Sequence, residues 1–353
     1  MTLITAPARS PRRPRFARRG WRFPVAAALI GGAITAFLAS PWPGAMLVRL
    51  VFDRGARRTS AALAVHAPAG VATILDQQYR SGDDDAYLDV YFPEELRGTG
   101  RALPAVIWTH GGAWISGSRA HHTAYYRLLA AAGFTVIAVD YSLAPRRRYP
   151  TAVRQLHDAH AYVLAHAARL HVDPNRIVLA GDSAGAQLSS QLAVITTDPG
   201  YARAVCIEPA LQPQQLRGVI LHCGIYEVAD MVGGPGVIGW GTSESVWAYT
   251  GSKDVSGSPT VAQMSTLRHV SDRFPATFVS GGNSDGLTAK QSKALAARLT
   301  GLGVDVTALF YPDDHVPALA HEYQFDLDNA DGRAALERTV EFLRKHTVDA
   351  PGA

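Results

Sequence analysis

The sequence predicts an α/β protein with a mostly parallel central sheet, helices on both faces and a cap or lid. Three observations carry that expectation. Short apolar runs alternate with helix-length segments from about residue 87 to the C-terminus, the pattern of a doubly wound sheet. Chemistry-bearing residues cluster where those runs end, where open α/β sheets place their sites. The chain has 353 residues, 47% of them hydrophobic and 18% charged, enough to bury one large core.

The elements follow in order. Tyr87 to Phe92 alternates as a strand, and Ala105-Val106-Ile107-Trp108 reads as a buried strand ending at His110-Gly111-Gly112-Ala113-Trp114. A helix is expected from Tyr125 to Ala132, stopped by Gly133. Strands are expected at Thr135–Val139 and Ile177–Ala180, with a helix from Pro150 to Leu170 between them. Gly218–Leu221 and Ala276–Ser280 are further strands. Between them, residues 226–272 are rich in Gly, Ser and Thr and too long for a simple crossover, which suits a cap insertion. A helix over Thr288–Thr300, a strand over Val306–Tyr311 and a helix over Gly332–Lys345 complete the chain, the last with Leu336, Val340 and Leu343 on one face. Ser60 to Gln78 shows no clear pattern.

Charge is uneven. The net charge is +4, yet residues 1–50 hold eight arginines and no acid, leaving 26 basic against 30 acidic residues beyond them. A mildly acidic body argues against nucleic acid as a partner. Arg9 to Arg22 precede an uncharged run, and residues 23–40 as a helix would span about 27 Å, close to a bilayer core. Residues 1–52 are therefore expected to be a basic terminus with a membrane anchor and 53–353 the catalytic domain, placed on the extracytoplasmic side. A cleaved signal and a buried N-terminal helix of a soluble cytoplasmic enzyme are the alternatives. Ala45 to Phe52 reads either as an interfacial helix with Arg49 snorkelling or as the first cap helix.

Gly181-Asp182-Ser183-Ala184-Gly185 joins the Ile177 strand to a helix-compatible segment. A serine flanked by small residues at such a turn is the pattern of a nucleophile elbow. With His110-Gly111-Gly112-Ala113-Trp114, Val139-Asp140-Tyr141-Ser142-Leu143-Ala144-Pro145, a late Asp285-x-Leu287 and a histidine after the last strand, the chain resembles the α/β-hydrolase fold. Within that fold it is similar to the hormone-sensitive-lipase-like esterases, over about residues 85–346. The resemblance implies Ser183 as nucleophile, Asp285 as acid, and an oxyanion hole from the N–H groups of Gly112, Ala113 and Ala184, with Gly111 in support. Two histidines compete as base. His321, in His321-Glu322-Tyr323-Gln324-Phe325, matches the family's His-Gly-Phe block and is favoured; His315 sits closer to the strand end. Ala113, Ser142, Arg146 and Gly286 depart from the family pattern, which leaves open the salt bridge usual at the Ser142 and Arg146 positions. Asp140 and Asp182 are expected to be structural, and His110 to brace the oxyanion loop.

The implied activity is hydrolysis of carboxylic esters, with short- to medium-chain or lipid-like acyl groups, through a Ser-His-Asp triad and an acyl-enzyme. An arylformamidase-like amide hydrolase and a silent membrane-tethered binding protein are the rivals. No cofactor and no metal are expected: His121, His122, His157, His160 and His166 have no ligand partners at a convincing spacing. Cys206 and Cys223 are expected to be unpaired thiols unless export allows them to pair.

Overall fold

The computed structural model describes residues 31, 32, 35 and 37–348. The apolar run at 23–40 lies mostly outside them, and among the described residues no helix is long and apolar enough to cross a membrane. The first complete element is α1 (Trp42–Ala64), with Pro43 in its first turn and buried Gly44, Ala45, Val48 and Leu63. It runs through the domain boundary expected at residue 52. Arg49 does not snorkel but turns inward, its guanidinium donating to the carbonyls of Ile115 and Ala144, the latter at 2.7 Å. These contacts join the stretch to the body, as a cap helix requires, while Trp42, Met46, Leu47 and Leu50 remain exposed on its other face.

Eight strands form one sheet in the order β1-β2-β4-β3-β5-β6-β7-β8. They are β1 (Val71–Gln78), β2 (Tyr87–Pro93), β3 (Leu103–Thr109), β4 (Thr135–Val139), β5 (Val172–Asp182), β6 (Leu216–His222), β7 (Thr277–Gly281) and β8 (Val306–Phe310). Both pairings of β2 are antiparallel, and every pairing from β4 to β8 is parallel. β1 falls in the stretch without a clear pattern. Only Val71 and Ala72 of it are buried, so no alternation marks it.

The body helices are α2 (Thr123–Ala131), α3 (Thr151–Ala165), α4 (Ala184–Thr197), α5 (Pro199–Val205), α8 (Lys293–Gly301) and α9 (Ala330–Thr347). α8 is preceded by a wider π turn over Thr288–Ser292. The sheet separates two cores, and successive residues of β3 enter alternate ones. Ala105 and Ile107 pack on the α3 and α4 face. Val106 and Trp108 join Tyr125, Tyr126, Phe325 and Phe342 on the other. Every residue of α4 is buried, which places the helix after Ser183 at the centre of the molecule.

The insertion at 226–272 is more helical than its composition suggests. It contains α6 (Gly236–Thr250) and α7 (Pro259–Met264). α6 packs on α1 so closely that a Cβ on Gly44 would lie 2.3 Å from a carboxylate oxygen of Glu244. The cap is thus built from two distant segments of sequence. Asp53 accepts a 2.5 Å hydrogen bond from Ser116 Oγ, and Ser60 Oγ donates at 2.5 Å to the His121 carbonyl, tying α1 to the loops above β3.

Candidate active site

β5 ends at Asp182 and α4 begins at Ala184, so Ser183 alone makes the turn, at φ 51° and ψ −118°. The flanking glycines are steric necessities. A Cβ on Gly181 would meet the Gly185 backbone at 2.5 Å, and one on Gly185 would sit 2.0 Å from the Thr109 carbonyl. Ser183 N–H donates to the His222 carbonyl at 2.8 Å, fixing the turn to the end of β6. The hydroxyl is thereby held above the sheet in strained backbone geometry.

His321 Nε2 lies 3.0 Å from Ser183 Oγ, and its Nδ1 lies 2.9 Å from Asp285 Oδ2. Asp285 follows β7 and also accepts from the Leu287 N–H at 2.9 Å. Burial alone would push the Asp285 carboxyl up; hydrogen bonds and the imidazole charge outweigh it and hold the group below its usual value. Burial likewise would lower His321, but the Asp285 hydrogen bond and then the Glu322 charge push it up to about 9.

The choice between the histidines is made by the loop after β8. Asn283 clasps it at both ends: Nδ2 donates to the His315 carbonyl at 3.0 Å, and Oδ1 accepts from Leu319 N–H at 2.8 Å. Ser284 N–H adds a 2.9 Å bond to the Leu319 carbonyl. With residues 315–319 laid along 282–284, His321 arrives at the serine. His315 instead pairs with Asp331 Oδ2 at 2.9 Å at the start of α9.

β3 and β5 are neighbours, with Thr109 opposite Gly181, so the His110 loop stands beside the elbow. Gly112 and Ala113 both have positive φ, 103° and 50°. The N–H groups of Gly112, Ala113 and Ala184 donate to no acceptor among the described residues. Gly111 N–H is engaged, at 2.8 Å from Asp182 Oδ2, while Asp182 Oδ1 accepts from Trp108 Nε1 at 2.8 Å. Asp182 therefore holds the loop. His110 braces it, with Nδ1 2.8 Å from the Gly111 carbonyl and its ring stacked on Tyr141. Its basicity is lowered by burial, which keeps it neutral.

A cavity of about 810 Å³ opens above Ser183. Val51 and Phe52 of α1 and Met231 and Ile238 of the cap give it apolar walls, and His121 and His122 also line it. His122 stacks on Phe325 at 3.7 Å, and burial pushes it down to about 3, so it is a packing residue. His157 pairs with Asp158, His166 with the Tyr162 carbonyl, and His160 is buried. Asp140 is held by Arg119. In place of the family salt bridge, Ser142 Oγ donates to Asp85 Oδ2 at 2.6 Å and Arg146 pairs with the same carboxylate.

Two neighbours of the site escaped sequence reasoning. Cys223, just past β6, is fully buried, and both it and the exposed Cys206 are unpaired. Among the described residues Cys223, Asp285 and His321 bring three ligand-type atoms within 4.8 Å. The Asp285–His321 hydrogen bond uses two of them, and burial raises Cys223 well above its usual value, which keeps the thiol protonated and a poor ligand. Glu322 is the other, and its one sequence signal is the replacement of the glycine of the His-Gly-Phe block.

A family model described as alpha/beta hydrolase fold matches residues 106–316. Carboxylesterase NlhH of Mycobacterium tuberculosis is 38% identical over 120 residues, covering 34% of this chain and 37% of its own. The provisionally named alpha/beta hydrolase R526 of Acanthamoeba polyphaga mimivirus is 28% identical over 217 residues, 59% of each chain. The chain thus spans less than two thirds of the length of each of these relatives. Among solved structures, esterase B from Lactobacillus rhamnosis superposes with a TM-score of 0.73 at 22% identity, over 87% of this chain and 97% of that one. With the family model covering more than half of its length, the chain belongs to the α/β-hydrolase family, in the branch that resembles hormone-sensitive lipase.

Proposed function

We propose that this protein hydrolyses carboxylic esters by way of an acyl-enzyme. The observation that carries the proposal is the continuous relay from Asp285 through His321 to Ser183, set beside three unengaged N–H groups. Ser183 Oγ attacks the ester carbonyl as His321 Nε2 takes its proton, and Asp285 holds the tautomer and stabilises the imidazolium. The carbonyl oxygen, now negative, accepts from the N–H groups of Gly112, Ala113 and Ala184. His321 returns the proton to the departing alcohol; water then repeats the sequence on the acyl-serine and frees the acid. The names of relatives such as carboxylesterase NlhH and esterase LipC of Mycobacterium tuberculosis support this reading. The apolar walls of the cavity suit short- to medium-chain acyl groups.

The test is a series of p-nitrophenyl esters of rising acyl length, with N-formylkynurenine as the amide competitor. Hydrolysis of the esters is expected, with a fluorophosphonate label on Ser183; turnover of the formamide alone would replace the ester reading with the arylformamidase one. Ser183→Ala should lower ester turnover by at least about ten-thousandfold. The arginine-rich start and the uncharged run after it support tethering to a membrane with the catalytic body outside the cytoplasm. Fractionation of cells expressing the chain with and without residues 1–41 tests that: both forms in the soluble fraction would rule it out.

A further inference from the structure

Glu322 stands where the resembling family has glycine, and its backbone shows why. It adopts φ 61° and ψ 29°, the left-handed conformation that glycine enters freely and glutamate does not. A strained residue beside a reactive centre is retained only if its surroundings hold it there. Its N–H donates to Cys223 Sγ at 3.4 Å, and its side chain turns into the active-site cavity. Oε1 lies 3.8 Å from His321 Nε2, the nitrogen that faces Ser183, and 3.1 Å from where a Gly111 Cβ would stand. Asp182 Oδ2 lies 2.3 Å from that same point.

We propose that Glu322 is a positioning residue for the catalytic imidazole, a second carboxylate whose Oε1 stands beside His321 Nε2. This rests on the triad reading above. Asp182 is fully buried, and burial followed by the nearby Glu322 charge raises it well above its usual value. His321 is thus flanked by two acids with separate duties. Asp285 binds Nδ1 and sets the tautomer. Glu322 makes no hydrogen bond to Nε2, leaves that nitrogen free to exchange a proton with Ser183 and the departing alcohol, and stabilises the imidazolium through space.

The other titratable groups around the pair do not replace it. Cys223, from the end of β6, stays protonated. On the opposite wall burial lowers His110, His121 and His122, so these rings are neutral. Asp53 and Arg57 of α1 bear on His121 with opposite signs. Asp230 lines the cavity from the cap. Tyr126, behind the pair, is raised well above its usual value by burial and stays neutral.

The test is the pH profile of kcat/KM of the full chain and its Glu322→Gln and Glu322→Gly variants, on a soluble p-nitrophenyl ester. In Glu322→Gln the carboxylate beside Nε2 is gone, so the limb that reports His321 should move down by about one pH unit. The alkaline plateau should fall while activity below the limb rises, so the two profiles cross. Glu322→Gly should show the same displacement together with a higher melting temperature, because glycine relieves the left-handed backbone. That variant keeps the test open if Glu322→Gln folds poorly. A merely structural Glu322 would change the height of the profile and leave its limb in place, and that result overturns the proposal. Ser183→Ala separates the two ideas. If it retains hydrolysis, the triad reading fails; if it is inactive and the limb of both Glu322 variants stays put, only the Glu322 inference fails.

Discussion

At the scale of single residues, the site depends on positions where one added or missing atom matters. Gly185 is among the tightest: its Cβ would lie 2.0 Å from the backbone of β3's last residue, with no flexible side chain to yield. Gly185→Ala should destabilise the fold by about 3 kcal/mol, read from urea unfolding, because strand and elbow must separate to admit the methyl. The two histidines of the final loop should separate equally clearly. His315→Ala loses a hydrogen bond to Asp331 and should cost about 1 kcal/mol of stability while leaving kcat/KM within twofold or so of the parent. Loss of activity in that variant, with His321→Ala still active, would reverse the assignment of the base.

At the scale of elements, α1 has two roles. It walls the cavity with Val51 and Phe52, and it fastens the oxyanion loop from above through Arg49 and Asp53. Arg49→Ala leaves the Ile115 and Ala144 carbonyls without their donor, at a cost of about 1–3 kcal/mol. Because Ile115 closes the loop begun at His110, the same variant should lower kcat/KM, measured on the shortest ester so that acyl fit is not limiting. Val51→Trp should shift the preferred acyl chain to shorter lengths. An unchanged chain-length profile would mean that acyl groups lie elsewhere in the cavity.

At the scale of the whole molecule, pH sets activity against stability. His321 is raised to about 9, so its contribution to stability is full below its unfolded value of about 6.5 and is lost as pH rises through 9. On the proposed mechanism activity moves the other way, since His321 acts as base only once deprotonated. Burial pushes His122, His160 and His222 down to about 3. The unfolded chain takes up their protons below about pH 6.5 and the folded one does not, so stability also falls on the acid side. The melting temperature should therefore peak near pH 6.5, with kcat/KM still rising beyond it. A melting temperature that climbs steadily to pH 9 would contradict the raised His321.

The sequence by itself determined what depends on neighbours along the chain. Strand periodicity, the small residues around Ser183, and the order of His110, Ser183, Asp285 and a late histidine are local patterns, and each predicted motif lies at a strand end. β1 was illegible because only two of its residues are buried. Tertiary structure alone decided what depends on the path of the chain between elements. Asn283 clasps a distant loop, and so His321, not His315, meets the serine. α1 and α6, almost two hundred residues apart, make one cap because Gly44 lets them touch. Glu322 reads as an ordinary charged residue until the left-handed backbone turns it toward the imidazole. Such contacts leave no periodic trace in the sequence, because the residues that make them are neighbours only after the sheet has formed.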